Sequence, residues 1–292
     1  MQISGFTIIK NAVINDYPIV EAITSILPVV DEMIVLAGDS SDATKDLVKS
    51  INSEKIKIFD SVWDNSLRKG GEVLAVETNK AFALINPEST WAFYIQADEA
   101  VHEKYLPAIK EACIKYKDDP RVEGLLFKYI HFYGTYNYVG DSRRWYNHEI
   151  RIIRNDKTIS AYKDAQGFRK GSTKLKVKPV DAYIYHYGWV KSPAQMKKKM
   201  KEVSKYWHQD SDNLKEYMNS EDFFDFDEFD SLEKFTGSHP VVLQKRIKDQ
   251  NWNVVFDVSK KRFSFKDKLL YWFEKKTGIR LFDFKNYTII RN

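Results

Sequence analysis

The ten residues from Trp91 to Ala100 constrain the fold of this chain more than any other stretch. They read WAFYIQADEA, an apolar and aromatic run that ends in two adjacent carboxylates. A short apolar run entered from turn-forming residues is typical of a buried strand. Open α/β sheets bind ligands at the carboxyl ends of their strands. The pattern predicts that Asp98 and Glu99 lie at such an edge, where carboxylates suit a hard cation; the simpler alternative is a helix cap.

The segments before this strand alternate between strand and helix patterns. Apolar runs favour strands, apolar residues at helical spacing favour helices, and the order is Ile3–Ile9 (strand), Asp16–Leu27 (helix), Glu32–Ala37 (strand), Thr44–Ser50 (helix), Lys55–Phe59 (strand) and Glu72–Leu84 (helix). A β-α-β-α-β order predicts a parallel sheet with helices on both faces. The stretches Val122–Tyr133 and Trp145–Arg154 alternate apolar with polar side chains instead, which predicts antiparallel strands, and Thr173–Tyr187 carries two more strand-like pieces.

Composition narrows the class of protein. The 292 residues are 43% hydrophobic and 30% charged, which is typical of a globular protein with a sizeable core. Forty-six basic residues nearly balance 41 acidic ones, so no nucleic-acid partner is expected. The single cysteine, Cys113, is expected to pack in the core and is compatible with a reducing compartment. No signal-peptide pattern and no apolar run long enough to span a bilayer is seen, which predicts a cytoplasmic protein.

Several polar residues are candidates for a ligand site. Asp39 and Asp42 follow the second strand and could accept hydrogen bonds from a nucleotide, or could fix the start of the next helix. His186 follows a strand-like run and could complete a metal shell begun by Asp98 or Glu99, or could be a packed core histidine.

Other candidates would neutralise charge or move a proton. The basic candidates for a diphosphate are Lys69, Arg68, Arg143, Arg144 and Arg151. For a general base we prefer Asp164, which lies in a loop, over Glu149, which lies inside an alternating strand, because a base should face a pocket. Motifs of P-loop, Rossmann, serine-hydrolase and zinc-protease sites are missing from the sequence.

Five pieces, in order, resemble the family 2-like glycosyltransferases of a bacterial branch, which have the GT-A fold. They are FTIIKN, SILPVVDEMIVLAGDSSDAT, ETNKAFALI, WAFYIQADEA and YHYGWVKSP. The resemblance implies a Rossmann-like α/β fold with a mixed central sheet flanked by helices. It implies a catalytic domain over residues 1–205, with a nucleotide-binding half (1–100) and an acceptor half (101–205). Residues 206–292 would form a helical and aromatic extension.

The resemblance also implies a reaction. The donor would be a UDP- or GDP-sugar, the cofactor Mn²⁺ or Mg²⁺, and the acceptor a glycan or lipid-linked hydroxyl. The donor would be held by Lys10, Asn11, Asp39, Asp42, Lys69, Asn79 and Asp98, and the metal by Asp98, Glu99 and His186. Most of the family inverts the anomeric centre, which gives Asp164 the role of base. Two positions depart from the family pattern, since Ala37 stands where an aspartate is usual and Thr78 where an arginine is usual.

Two other functions stay open at this point. The departures at Ala37 and Thr78 are compatible with a non-catalytic relative that binds a sugar or nucleotide. A nucleotidyltransferase would share the sheet but needs a glycine-rich basic signature that FTIIKNAVIND lacks. The basic and aromatic tail from Lys260 to Asn292 either packs on the catalytic domain or makes a peripheral contact with the inner membrane face.

Overall fold

The computed structural model describes residues 1–207 and 223–291; residues 208–222, part of the predicted extension, lie outside it, as does Asn292. The described residues form a mixed sheet in the order β3-β2-β1-β4-β8-β6-β11-β10-β9. Its strands are β1 (Ile3–Ile9), β2 (Glu32–Ala37), β3 (Ile56–Asp60), β4 (Trp91–Tyr94), β5 (Glu99–Val101), β6 (Gly124–Gly134), β7 (Tyr138–Gly140), β8 (His148–Arg154), β9 (Ile159–Tyr162), β10 (Gly167–Lys170), β11 (Thr173–Val190), β12 (Leu232–Lys234) and β13 (Tyr287–Ile289). The predicted α/β fold class is confirmed.

Helices cover both faces of this sheet. They are α1 (Ile19–Ile26), α2 (Thr44–Lys49), α3 (Glu72–Ala83), α4 (Leu106–Tyr116), α5 (Pro193–Trp207), α6 (Gln244–Lys248) and α7 (Phe265–Thr277). Alternate residues of a strand point to opposite faces. In β1, Ile3 and Ile9 pack in one core with α1 and α4, whereas Phe6 and Ile8 pack in a second core with α3. This two-sided burial explains why the strands read as nearly continuous apolar runs.

The pairing of the strands shows where the predicted ligand-binding edge of the sheet lies. Strands β1, β2, β3 and β4 are parallel, and β4 lies on the opposite side of β1 from β2. The chain therefore reverses its direction of winding between β1 and β4, and a crevice opens at the carboxyl ends of strands at such a point. Strand β8 is antiparallel to both β4 and β6, as the alternating pattern predicted, but β11 runs parallel to β6.

Some elements were not expected from the sequence. The stretch after Asp98 forms β5, which pairs with the long strand β11. The two pieces predicted over Thr173–Tyr187 are one strand with irregular register. The described part of the extension contains α6, α7 and two short strands, and β13 joins the main sheet beside β11. No helix among the described residues is long and apolar enough to cross a bilayer.

Candidate functional site

A cleft of about 590 Å³ opens at the switch between β1 and β4. The end of β1 supplies Lys10 and Asn11, and the turn after β4 supplies Gln96 and Asp98. Further walls come from β11, from the β9–β10 loop and from one side of α5. Residues far apart in sequence meet here because parallel strands end at a common edge.

Asp98 is the acidic centre of this cleft. Its side chain is 15% exposed, and Lys199 donates a hydrogen bond to its Oδ2 at 3.1 Å. Burial by itself would raise the pKa of Asp98, but the charge and hydrogen bond of Lys199 outweigh burial and hold that pKa well below its usual range. Gly188 makes this approach possible, because a Cβ at that position would lie 2.7 Å from Asp98 Oδ2. Asp98 is therefore an ionised carboxylate.

His186 faces Asp98 with one ring nitrogen. Its Nε2 lies 3.6 Å from Asp98 Oδ1, and its Nδ1 lies 3.2 Å from the Nδ1 of His131. Burial lowers the pKa of His186 more than the facing Asp98 raises it. Burial likewise holds the pKa of His131 well below its usual range. Both imidazoles are therefore neutral, and each carries a single proton.

The hydrogen bonds assign those protons. The carbonyl of Tyr146 can only accept, so His131 Nε2, 2.7 Å away, is the donor. The Nδ1 of His131 is then an acceptor, and the His186 Nδ1 proton must be given to it. This leaves the His186 Nε2 with a bare lone pair beside the carboxylate of Asp98. The two groups face each other across 3.6 Å, and the Lys199 ammonium contacts the same carboxylate at 3.1 Å.

Glu99, predicted beside Asp98 in the metal site, does not face the cleft. Its side chain is fully buried, and its carboxylate accepts from Arg151 Nη2 at 2.7 Å and from Tyr129 Oη at 2.6 Å. The second oxygen accepts from Arg151 Nε at 2.9 Å and from the Gln96 N–H at 3.0 Å. Adjacent residues of an extended chain point to opposite sides, so β5 turns Glu99 away from Asp98. Arg151, a predicted diphosphate ligand, is buried with it.

A second, smaller cavity of about 290 Å³ adjoins the cleft and shares Lys10 and Asn11 with it. Lys10 donates to Asp39 Oδ1 at 2.8 Å, and the Trp63 N–H donates to the same oxygen at 3.1 Å. Burial opposes ionisation of Asp39, yet Lys10 and the Trp63 N–H hold its pKa below the usual value. The Trp63 Nε1–H is buried and has no hydrogen-bond partner among the described residues. The indole nitrogen faces Gly38, where a Cβ would lie 2.5 Å from it.

Three other residues that were predicted to bind the sugar donor, Asp42, Asn79 and Lys69, line neither cavity. Asp42 accepts from the N–H groups of Ile14 at 2.8 Å and Thr44 at 3.0 Å, which fixes the loops after β1 and β2. Asn79 accepts from the Ala161 N–H at 2.7 Å, and Lys69 is exposed on the surface. Arg143 pairs with Glu274 at 2.7 Å, outside the cleft. For Asp42 the simpler alternative, a role in fixing the helix start, matches the geometry.

Asp164, the predicted base, does line the cleft. It lies in the β9–β10 loop between Lys163 and Ala165, whose φ angles are +55° and +61°. Non-glycine residues in this region are strained and occur often at functional sites. The loop is fixed to the end of β4 because Gln96 Nε2 donates to the Ala165 carbonyl at 3.3 Å. The fold thus places a half-buried carboxylate on a different wall from Asp98.

The sequence did not predict that Lys199 contacts Asp98. The sequence shows α5 as a basic helix, but helical charge runs are usually solvated and nothing local separates Lys199 from its neighbours. Lys199 donates to both Asp98 and the Gly188 carbonyl, the latter at 2.8 Å. Its ammonium also lies 5.0 Å from the centre of the Tyr17 ring. Only the packing of α5 over the cleft distinguishes it.

The donor set at Asp98 and His186 fits a divalent cation. Two atoms that share a cation with bonds of about 2.1 Å lie no more than about 4.2 Å apart, and here they are 3.6 Å apart. Within the described residues, no group of three or more histidine, cysteine, aspartate or glutamate side chains is placed to hold a metal ion. The remaining ligands would have to come from water and from a phosphate-bearing ligand, as is usual for Mg²⁺.

Comparisons with known proteins add structural neighbours. No protein-family profile matches the sequence, and no curated protein matches it significantly. A crystal structure of S. aureus TarS is 16% identical, with a TM-score of 0.39, 70% of this chain covered and 39% of that chain. TarS residues 1–349 in complex with UDP give 14% identity, a TM-score of 0.38 and coverage of 75% and 70%.

A third neighbour is glucosyl-3-phosphoglycerate synthase from Mycobacterium tuberculosis in complex with Mn²⁺, UDP and phosphoglyceric acid. It is 20% identical, with a TM-score of 0.31 and coverage of 44% of this chain and 43% of that one. The chain thus spans 39% of the TarS chain in the first comparison and 43% of the synthase chain. Similarity at this level carries no argument about the reaction, so the functional conclusion depends on the site itself.

Proposed function

We propose that this chain is a metal-dependent glycosyltransferase that moves a sugar from a UDP- or GDP-sugar to an acceptor hydroxyl. The observation that carries the proposal is the pair formed by Asp98 and the bare Nε2 of His186, 3.6 Å apart in a 590 Å³ cleft at the sheet's switch point. An ionised carboxylate and a neutral imidazole make a cation site that is incomplete without an oxygen-rich ligand. A nucleoside diphosphate is such a ligand, and Mn²⁺ or Mg²⁺ is the cation.

The chain's own residues divide the work of binding the donor. When bound, the cation would supply positive charge to the diphosphate leaving group. The Lys199 ammonium is a second positive charge at the same carboxylate. Lys10, Asn11 and Asp39 line the adjoining cavity, where they offer donors and acceptors to the nucleoside.

The transfer step needs a base on another wall of the cleft. The acceptor oxygen forms a bond to the anomeric carbon while the bond from that carbon to the diphosphate oxygen breaks. The acceptor proton goes to the Asp164 carboxylate, and the electron pair of the broken bond leaves with the diphosphate. Because the nucleophile attacks directly from the side opposite the leaving group, the anomeric centre inverts.

The ion pair between Asp98 and Lys199 favours one other candidate function. If the ammonium held Asp98 permanently, no cation would bind and the chain would bind a nucleotide sugar without turning it over. The non-catalytic alternative therefore has a specific structural reason. Metal binding separates the two, because it is required by the transferase and excluded by the alternative.

Calorimetry provides the test. Wild type and Asp98→Asn would be titrated with UDP, GDP, UDP-sugars and GDP-sugars, each with and without Mn²⁺. We expect one nucleoside diphosphate to bind only with Mn²⁺, and we expect Asp98→Asn to lose that binding. Glu111→Gln, which changes an exposed carboxylate of α4 that lines neither cavity, is the matched control and should retain it. A folded wild type that binds none of these ligands would refute the proposal.

A further inference from the structure

The C-terminal helix α7 has two unlike sides. One side is held against the body of the protein, where Glu274 pairs with Arg143 at 2.7 Å and Lys275 with Glu233 at 2.6 Å. Tyr271 donates a hydrogen bond to Asp141 on the same side. The helix itself is well delimited, because the Ser264 hydroxyl accepts from the Asp267 N–H and Gly278 ends it with φ +69°.

The other side of α7 is apolar and faces solvent. Successive helical residues are about 100° apart, so Phe265, Leu269 and Trp272 lie within about 60° of one another. Glu274 lies about 180° from Phe265 on the same projection. The three apolar side chains are 88%, 58% and 57% exposed. The stripe therefore points away from Glu274 and Tyr271, whereas Lys275 lies between the two sides.

The residues that follow α7 also expose large apolar side chains to solvent. Ile279, Phe282 and Phe284 are 55%, 89% and 71% exposed, and Phe282 has a φ of +58° that few side chains adopt. Among the described residues, eight of the eighteen exposed large hydrophobic side chains lie between residues 265 and 289. Such a concentration marks an interaction surface, whereas scattered single exposures are ordinary.

The net charge of residues 260–291 indicates which kind of partner this surface fits. Residues 260–291 contain ten lysines and arginines and three acidic residues, a surplus of seven positive charges. That surplus exceeds the net charge of the whole chain, which is +5. A second copy of the chain would bring the same positive charge and would be repelled. A surface that combines exposed aromatic residues with a positive surplus matches an anionic lipid bilayer.

We propose that α7 and the residues that follow it, to Phe284, bind the surface of an anionic membrane. Phe265, Leu269 and Trp272 enter the boundary between head groups and acyl chains, while Lys266, Lys268 and Lys276 meet the lipid phosphates. This binding needs no nucleotide or metal and is independent of the proposed reaction.

The position of α7 also bears on the class of acceptor, and this step rests on the proposed transferase reaction. A cavity of about 370 Å³ lies on the inner side of α7, with Tyr271 and Lys275 on one wall and His131 and Tyr146 on another. Tyr146 also lines the main cleft. A lipid-linked acceptor held in the bilayer would therefore approach the cleft past α7.

Vesicle co-sedimentation of the full chain tests the membrane proposal directly. Wild type should bind vesicles of phosphatidylcholine mixed with phosphatidylglycerol, and binding should weaken as salt is added and on pure phosphatidylcholine. The combined change Phe265→Ser, Leu269→Ser and Trp272→Ser should reduce binding by about tenfold or more. The matched control Val62→Ser, Val241→Ser and Val255→Ser removes exposed apolar side chains elsewhere and should bind as wild type does.

A second variant keeps the test valid if the serine variant folds poorly. Lys266→Glu with Lys276→Glu leaves the apolar stripe intact and should reduce binding to the anionic vesicles by about tenfold. Wild type that ignores anionic vesicles, or variants that bind as wild type does, would overturn the proposal. A dimer that the serine change dissolves, with no vesicle binding, would also overturn it and would assign the surface to a second copy.

Discussion

His131 and His186 share a single proton between Nδ1 atoms that lie 3.2 Å apart. The carbonyl of Tyr146 fixes His131 as the acceptor of this pair, and His186 is left with its Nε2 lone pair toward Asp98. In the proposed cation site, His131 would therefore decide which nitrogen of His186 is free to bind the cation without contacting the cation itself. Partners of this kind are commonly worth 10- to 100-fold in metal affinity.

We expect His131→Phe to weaken Mn²⁺ binding by about 10- to 100-fold, because the His186 Nδ1–H then loses its acceptor. His131→Asn can restore an acceptor oxygen and should recover part of the affinity. The free Mn²⁺ signal in electron paramagnetic resonance measures this without any turnover. Equal affinity in wild type and His131→Phe, with both proteins folded, would contradict the proton assignment.

Removing Lys199 should have the opposite effect on the metal. Lys199→Met breaks the 3.1 Å contact with Asp98, so a cation no longer competes with an ammonium for the carboxylate. We expect Mn²⁺ affinity in the absence of nucleotide to rise by about tenfold, the scale of a charged hydrogen bond. Lys198→Met, which changes an exposed lysine of the same helix, is the control and should leave the affinity unchanged. Weaker binding in Lys199→Met would show that the ammonium supports the site.

Asp164→Asn tests the base. The change keeps the shape of the side chain and removes its capacity to take a proton, so transfer should fall by about 10²- to 10⁴-fold while donor affinity stays near that of wild type. Initial rates and calorimetry on the same sample separate the two quantities. Full transfer activity in Asp164→Asn would eliminate this role and return the question to the other residues of the cleft.

Two buried glutamates should respond to substitution in opposite ways. Glu149 is 3% exposed, and burial, which Arg151 only partly offsets, raises its pKa to about 7. A raised native pKa contributes stability below the unfolded value of 4.5, and this is lost as pH rises through about 7. Glu149→Gln should therefore raise the free energy of unfolding at pH 8 by up to about 3 kcal/mol and change little below pH 4.5.

Glu99→Gln is the contrasting variant. It leaves Arg151 as a charge without a counterion in the core, which typically costs about 3–5 kcal/mol at neutral pH. Urea unfolding of both variants at pH 5 and pH 8 measures the difference. If Glu99→Gln were as stable as wild type, the assignment of Glu99 to the core, in place of the metal site, would be wrong.

The predictions that the structure confirms are those that depend on the hydrophobic pattern of a few neighbouring residues. Strands β1, β2 and β4 are apolar on both faces, and alternate side chains do pack in two cores. Asp98 was found because an aspartate directly after a buried strand must lie near the sheet's edge. Glu99 was misplaced because the sequence gives no sign that the chain resumes an extended course as β5, which turns its side chain away.

The amino-acid sequence by itself determined the class of fold, the edge of the sheet at which the cleft lies, and Asp98 and Asp164 as carboxylates near that edge. Each of these follows from hydrophobic periodicity, element order and turn residues, which act over a few residues. Only the tertiary structure decided that Lys199 meets Asp98, that Arg151 neutralises Glu99, and that His131 fixes the proton on His186. Such pairings join residues about 50 to 100 positions apart, and packing of whole elements alone decides which buried charges meet.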